Sequence, residues 1–553
     1  MSILKIDTTL ELINNFRGFT NTVVGEGTIV ETLGYSTIGD GGGAQWKRTG
    51  NLLAASQSPA QLGDARLSDK GSNEWALVFQ GEINIRQVGS GFDSSNDVTY
   101  ANAALAALNT AGGGNLIIDM STKVLFDTNI DVPASCSIVG QHIYNDTTDR
   151  DKWASIGSRI RINPAATIGL QNGAGLQGLV LYRSDMTFPA AGLTAAEVAL
   201  YAGTAVTCKS ASPYIAKNAI LGFEWAIITL STNTPRGRVE LNKIDCTNGI
   251  DVDMDLGGWI IDRNGCEPIL SNSDVDNIRS GIGFRLRNRS DWSWVTNNFS
   301  FQDTGFALVD ANHIKFTACG ADHPTDGTDL YHTGIGFDID GGCLDNVFLA
   351  CQSASHLKGF KFSTDAGDRN YMIGCGVWNL ASTGIGIDVQ SGDLSINGGF
   401  VRDFISSTGK GIVVNDAASK VTVVGGVSFK NLTTAMDTVS YSEFVTSQDH
   451  TFDSVTNVQT NEATKTVASA GTMTLPNNEA VFDVTGTTTL GTLVGSGVQP
   501  QKIVTLILSS GLTINNGGYV LAGAVNWVAP AGSSITLQYI TGNTWREISR
   551  NEQ

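Results

Sequence analysis

Between Phe316 and Phe337 the chain reads FTACGADHPTDGTDLYHTGIGF, which places Asp322, His323, Asp326, Asp329 and His332 within eleven residues. Paired carboxyl groups are what one class of reaction, glycoside cleavage, requires. Cleaving a glycosidic bond takes one carboxylic acid to protonate the leaving oxygen and one carboxylate to activate water or attack. Two further acids stand in related segments, Glu267 in CEPILSNSDVDNIRS and Asp303 in NNFSFQDT. We take Asp322 as one partner and Glu267 or Asp326 as the other. His323 could tune a neighbouring carboxyl group or hold substrate, as could Asp303. A base such as His323, Tyr331 or His332, with Arg279 or Arg402 as counter-charge, would instead suit a lyase acting on a uronate. The same residue types also serve plain turns, because Asp and Asn bond their own backbone.

These residues are positioned by an internal repeat. From about residue 200 to 460 the chain returns every 25 residues or so to a glycine and a short alternating run: GIGFRLRNRS from Gly281, GFALVDANH from Gly305, GIGFDIDGG from Gly334, GFKFSTDAG from Gly359, GIGIDVQSG from Gly384 and GIVVNDAAS from Gly411. Alternation puts Ile335, Phe337 and Ile339 on one strand face. A second strand follows a polar turn, and a third, shorter piece leads to the next glycine. Three short strands per turn, stacked many times, make a solenoid whose coils bury one another. Cys319, Cys351 and Cys375 recur at matching places (FTAC, FLAC, MIGC), as a ladder of small buried side chains would.

Two corners are long. Cys319 to Gly334 spans 15 residues and Cys266 to Gly281 spans 15, while Asn298 to Gly305, between them, spans 7. Coils stack at about 4.8 Å, so the two long loops rise about 10 Å apart, with NNFSFQDT as the floor. Insertions in repeat proteins gather on a binding face, and the extra length reads as a wall of a saccharide groove. Trp259, Trp292, Trp294 and Trp378 lie in or beside these coils, each a flat ring for a sugar or a piece of core. His356 and Arg402 fall at nearly the same corner further along and could extend the groove, although a surface salt bridge with Asp403 also accounts for Arg402.

The totals restrict the alternatives. With 35 basic and 53 acidic residues the net charge is −18, which argues against nucleic acid and anionic membranes as partners. No apolar run approaches a membrane span, and MSILKIDTTLELINNF is not a signal peptide. Eight cysteines without a C-x-x-C pair read as reduced thiols. No zinc or calcium spacing appears, so neither metal nor cofactor is expected. Neither G-D-S nor G-x-S-x-G occurs in an esterase context. Residues 1–80 form a small β unit with a glycine turn at Gly39–Gly43. YANAALAALNTA then has helical spacing and ends at Gly112–Gly114. Residues 81–462 hold the solenoid. From 463 to 553 alternating runs broken by Gly and Asn suggest a β-sandwich-like unit.

Together, LGYSTIGDGGGAQW, INIRQVGSGFDSSNDVTYANAALAALNTAGGGNLIID and the coils resemble the bacteriophage tailspikes of the pectate-lyase-like superfamily. The opening motif departs from that family's pattern at Ser90, Phe92 and Ser94. The resemblance implies an all-β, right-handed parallel β-helix capped by the helix, a C-terminal β-domain for trimerisation or carbohydrate binding, and a homotrimer. It also implies a bacterial surface polysaccharide (capsule or O-antigen) as ligand, attachment to other tail proteins through the N-terminal region, and a place on the virion tail. Hydrolysis is the expected reaction. A lyase, or a spike that binds without cleaving, would use the same scaffold.

Overall fold

The computed structural model describes the chain except residues 1–2, 7–8, 10–11, 13–25, 34, 36–42, 53–55, 60–64, 71, 90–96, 121, 142–152, 154–156, 190–191, 231–234, 254–256, 271–278, 289–291, 324–333, 379–382, 404–407, 417–418, 441–442, 447–449, 461–464, 476–480, 496–502, 517–518, 522–524, 542–543 and 553. Its central body is a parallel β-helix with three faces. The first face is a 14-stranded parallel sheet from Glu82–Asn84 to Glu443–Thr446. The other two form one 24-stranded assembly of two interleaved ladders. The second face runs from Lys123–Phe126 through Gly265–Cys266, Phe299–Ser300, Gly320–Asp322, Gln352–Ala354 and Gly376–Trp378 to Phe400–Arg402. The third runs from Ile130–Val132 through Asn248–Asp253, Gln302–Val309 and Ile335–Asp340 to Lys410–Asn415. The long strand Ser428–Ser440 pairs with both.

The alternation seen in the sequence becomes stacked columns. On the third face Phe284, Phe306, Phe337 and Phe360 point inward with near-parallel rings, 4.9, 4.7 and 4.5 Å apart between centroids. Beside each inward aromatic or aliphatic residue stands a glycine: Gly249, Gly283, Gly305, Gly336, Gly359, Gly386 and Gly411. A Cβ at any of these would collide with the carbonyl oxygen of the stacked coil. The recurring glycine of the repeat is therefore the second glycine of GIGF, not the first, and repeats taken from Gly281, Gly334 and Gly384 start two residues early. Close backbone approach, rather than a turn, is what demands it.

Where the first face turns into the second, one residue per coil adopts left-handed φ: Lys217, Leu241, Arg263, Asn297, Ala318 and Ala350. Each such residue costs about 1–2 kcal/mol. A ladder of asparagines offsets this at the following position. The Nδ2 of Asn218, Asn242 and Asn264 donates to the Oδ1 of Asn242, Asn264 and Asn298 respectively at 2.9–3.0 Å, and the backbone N–H of each donates to the same oxygen. Cys319, Cys351 and Cys375 continue that column as buried thiols. The register also corrects one correspondence: Cys266 pairs with Ser300, and Ser300 with Ala321, so the counterpart of Cys319 two coils earlier is Asn264. Measured between true counterparts, Asn264 to Gly283 spans 19 residues, Asn298 to Gly305 spans 7 and Cys319 to Gly336 spans 17. The long–short–long pattern is retained.

Helix Asp97–Thr110 buries Val98, Ala101, Ala104, Leu105 and Leu108 in the same core as the first coils. Asp97 accepts the N–H of Leu125 at 2.8 Å, tying the helix start to the solenoid. Before it lies a five-stranded sheet of residues Ile3–Ile6, Ile29–Thr32, Ala44–Leu52, Asn73–Leu77 and Arg66–Ser68. Most of the Gly39–Gly43 turn, Ser90, Phe92 and Ser94 fall outside the described residues. At the other end, strands from Lys465–Ala468 to Thr544–Asn551 enclose a separate core around Phe482, Leu506, Leu537 and Trp545.

Candidate active site

The outward side of the second face forms the candidate site. Strand register places Glu267, Phe301, Asp322, Ala354, Trp378, Arg402 and Lys430 in one column, one residue per coil. Glu267 and Asp322 are therefore two rungs apart, about 9.5 Å between backbones. Phe301 lies between them and meets Phe299 edge to face at 4.8 Å.

One end of this face is closed. Residues 192–203, which include the short helix Ala195–Val198, pack Leu193, Val198 and Tyr201 against Val180, Tyr182, Ala219, Leu221 and Leu270. The N–H of Leu193 donates to the carbonyl of Leu270 at 2.6 Å, and the N–H of Leu270 donates to the buried Asp245 at 2.7 Å. The outward column is thus covered up to Asp245. Glu267, the next rung, sits at the edge, half-buried, with its carboxyl folded over Gly265.

Asp322 is half-buried at the end of its strand, and its carboxyl accepts no hydrogen bond among the described residues. Burial pushes its pKa up to about 6, with His323 pulling weakly the other way. Among the described carboxyl groups with a shift, it alone is raised. Arg369, for comparison, holds Asp345 below the usual range through a hydrogen bond. His323 is buried, with Nε2 3.7 Å from Oδ1 of Asp303 on the preceding coil. Its ring meets that of His356 edge to face at 5.7 Å, and His356 Nδ1 lies 3.1 Å from Ser353 Oγ. A carboxyl group whose pKa burial pushes up to about 6, with a second carboxyl two rungs away, matches the needs of acid-assisted glycoside cleavage.

The other candidates divide. Trp378 is half-buried on the same face and meets Phe400 edge to face at 4.6 Å, with the guanidinium of Arg402 over both rings. Arg402 makes no ion pair with Asp403, which is buried and accepts the N–H of Gly409 at 3.3 Å. Trp259 is fully enclosed, with its ring over Gly237, so it is core and offers no sugar platform. Trp294 lies on the first face, and Trp292, stacked on His313 at 5.1 Å, sits at the corner leading to it. Both are exposed but stand away from Asp322. Asp326, Asp329, Tyr331, His332 and both long loops lie outside the described residues, as does the side chain of Arg279. Within the floor segment NNFSFQDT the rings Phe299 and Phe301 lie on this face, and neither of them, nor Phe400, is named individually from the sequence. Their signal was there: outward positions of paired strands carry Phe opposite Gly320 and Gly376, which the rings overlie.

No protein-family model matches the chain, and no curated protein sequence matches it. Several solved structures are similar in shape. The chain is similar to the tailspike gp42 of Acinetobacter phage vb_AbaP_AS12, at 10% identity and a TM-score of 0.46, covering 100% of this chain and 91% of that one. It is also similar to full-length tailspike protein 2 of the Escherichia coli O157:H7 bacteriophage CAB120, at 13% identity and a TM-score of 0.46. That match covers 77% of this chain and only 51% of the other, so the chain spans about half of that tailspike. A third is DFA-IIIase from Arthrobacter chlorophenolicus A6 in complex with GF2, at 11% identity and a TM-score of 0.43, covering 62% of this chain and 94% of that one.

Proposed function

We propose that this protein is a phage tailspike that binds a bacterial surface polysaccharide, capsule or O-antigen, along its second face and hydrolyses glycosidic bonds there. Asp322 is the general acid and Glu267 the carboxylate that activates water. The observation that carries this reading is the Asp322 carboxyl, raised to about 6 by burial and standing two rungs from Glu267 on a face that carries the rings of Phe299, Phe301 and Phe400. A backbone separation of about 9.5 Å lets inward-leaning carboxyls reach the roughly 6.5–9.5 Å of an inverting pair. His323, held against Asp303, positions the corner that carries Asp322. In this reading the protein is a homotrimer on the virion tail, attached to other tail proteins through its N-terminal region, and needs no cofactor.

A lyase would need a cation beside the scissile uronate. Of the two cations considered for it, Arg402 stands three rungs, about 14 Å, from Asp322 and His323, and the side chain of Arg279 lies outside the described residues. The test is to incubate the purified protein with capsule and O-polysaccharide preparations from a panel of bacteria and weigh the products. Fragments heavier by one water per cut support hydrolysis. Unsaturated ends without added water would move the chemistry to a base such as His323. Polymer retained at full length but bound would leave a receptor-binding spike.

A further inference from the structure

The far end of the same face carries a cation with no anion among the described residues. Five of the coil arginines, Arg238, Arg263, Arg285, Arg287 and Arg369, each hold a carboxylate at 2.6–2.9 Å. Arg402 holds none among the described residues, in a chain of net charge −18. Its guanidinium lies 4.6 Å from the centroid of Phe400 and 5.8 Å from that of Trp378. Its Nε is buried without a hydrogen-bond partner among the described residues. The neighbouring Asp403, the nearest carboxylate in sequence, is turned inward onto the backbone of Gly409. One rung on, Lys430 is already matched by Asp453 at 2.7 Å.

A buried donor left unmatched is destabilising unless something else completes it. Stacking covers the flat side of a guanidinium and leaves its edge donors, whose fork fits two oxygens of a carboxylate or phosphate. We propose that Arg402, framed by Phe400 and Trp378, is an oxyanion subsite, so that the groove takes an acidic saccharide chain. This rests on the reading of the second face as a saccharide groove. At about 14 Å from Asp322, Arg402 holds the chain several units from the cleaved bond, and it is a specificity residue rather than a catalytic one.

The test measures ligand-observed saturation-transfer NMR affinities of the full-length protein for sodium glucuronate, glucuronate methyl ester, glucose 6-phosphate and glucose. Wild type is expected to bind glucuronate or glucose 6-phosphate at least ten-fold more tightly than the ester or glucose. Preference for the phosphate over the carboxylate identifies which oxyanion is taken and supports the subsite either way. Arg402→Gln removes the preference while leaving glucose affinity unchanged, and Arg402→Lys retains part of it. The proposal is overturned if all four sugars bind alike, if none binds, or if Arg402→Gln keeps the anion preference. It is also overturned if Arg402→Gln weakens glucose equally, since that marks a structural role. Asp322→Asn separates the two readings: it should lower cleavage about 10²- to 10⁴-fold and leave glucuronate binding as in wild type. Cleavage that survives Asp322→Asn while Arg402→Gln loses the preference would sink the catalytic assignment and leave the subsite standing.

Discussion

Replacing Asp322 by asparagine gives opposite outcomes for activity and stability. Burial raises the carboxyl from 3.8 to about 6, so the folded protein disfavours the ionised form. At 1.36 kcal/mol per pK unit the upper limit is about 3 kcal/mol, and solvent screening of a half-buried group reduces this to about 1–2 kcal/mol. For a raised pKa, the stabilising contribution of the protonated group is fully present below about pH 4. It is lost as pH rises through 6. Asparagine keeps a similar shape and never ionises. Relative to wild type, Asp322→Asn should therefore gain stability between pH 4 and pH 8, reaching about 1–2 kcal/mol. Thermal midpoints at one scan rate across that range measure it. Over the same series, turnover should fall about 10²- to 10⁴-fold, the usual contribution of a general acid, and wild-type activity should decline above pH 6 as the acid is deprotonated. A stability difference that stays flat with pH would refute the desolvation argument. Turnover within threefold of wild type would refute the catalytic role.

Glu267→Gln should lower kcat at least 100-fold with little change in KM, because it activates water without holding the chain; steady-state kinetics on the cleaved polymer checks this. Trp259→Ala should destabilise by about 3–5 kcal/mol, as expected for a large core aromatic, and leave sugar affinity unchanged, which separates core from platform. Asn242→Ala removes the acceptor for the N–H and Nδ2 of Asn218 and the donor to Asn264. It should cost about 1–3 kcal/mol for each buried group left unmatched, read from denaturant midpoints. Gly336→Ala should destabilise sharply, because the added methyl meets the carbonyl oxygen of Gly359 and the side chain of Ser353; loss of soluble, heat-resistant protein is the readout.

Much of this protein is written in its repeat. A rung of constant height turns sequence offsets into distances, so the period-2 runs, the buried cysteine column, the long–short–long corners and the alignment of Glu267 with Asp322 are all legible from one chain. Which glycine of each pair stacks on the single glycines Gly305, Gly359 and Gly411 is not, because only the pairing of the strands sets that register. The tryptophans show the same limit. A ring after a polar turn reads identically whether the corner folds it inward, as with Trp259, or onto another face, as with Trp294. The covered end of the second face depends on residues 192–203 meeting Leu270, a contact between distant parts of the chain that no local pattern encodes. The raised pKa of Asp322 and the absence of an anion on Arg402 among the described residues belong to the tertiary structure for the same reason. Desolvation and charge pairing are sums over atoms from several coils, and only stacking brings those atoms together.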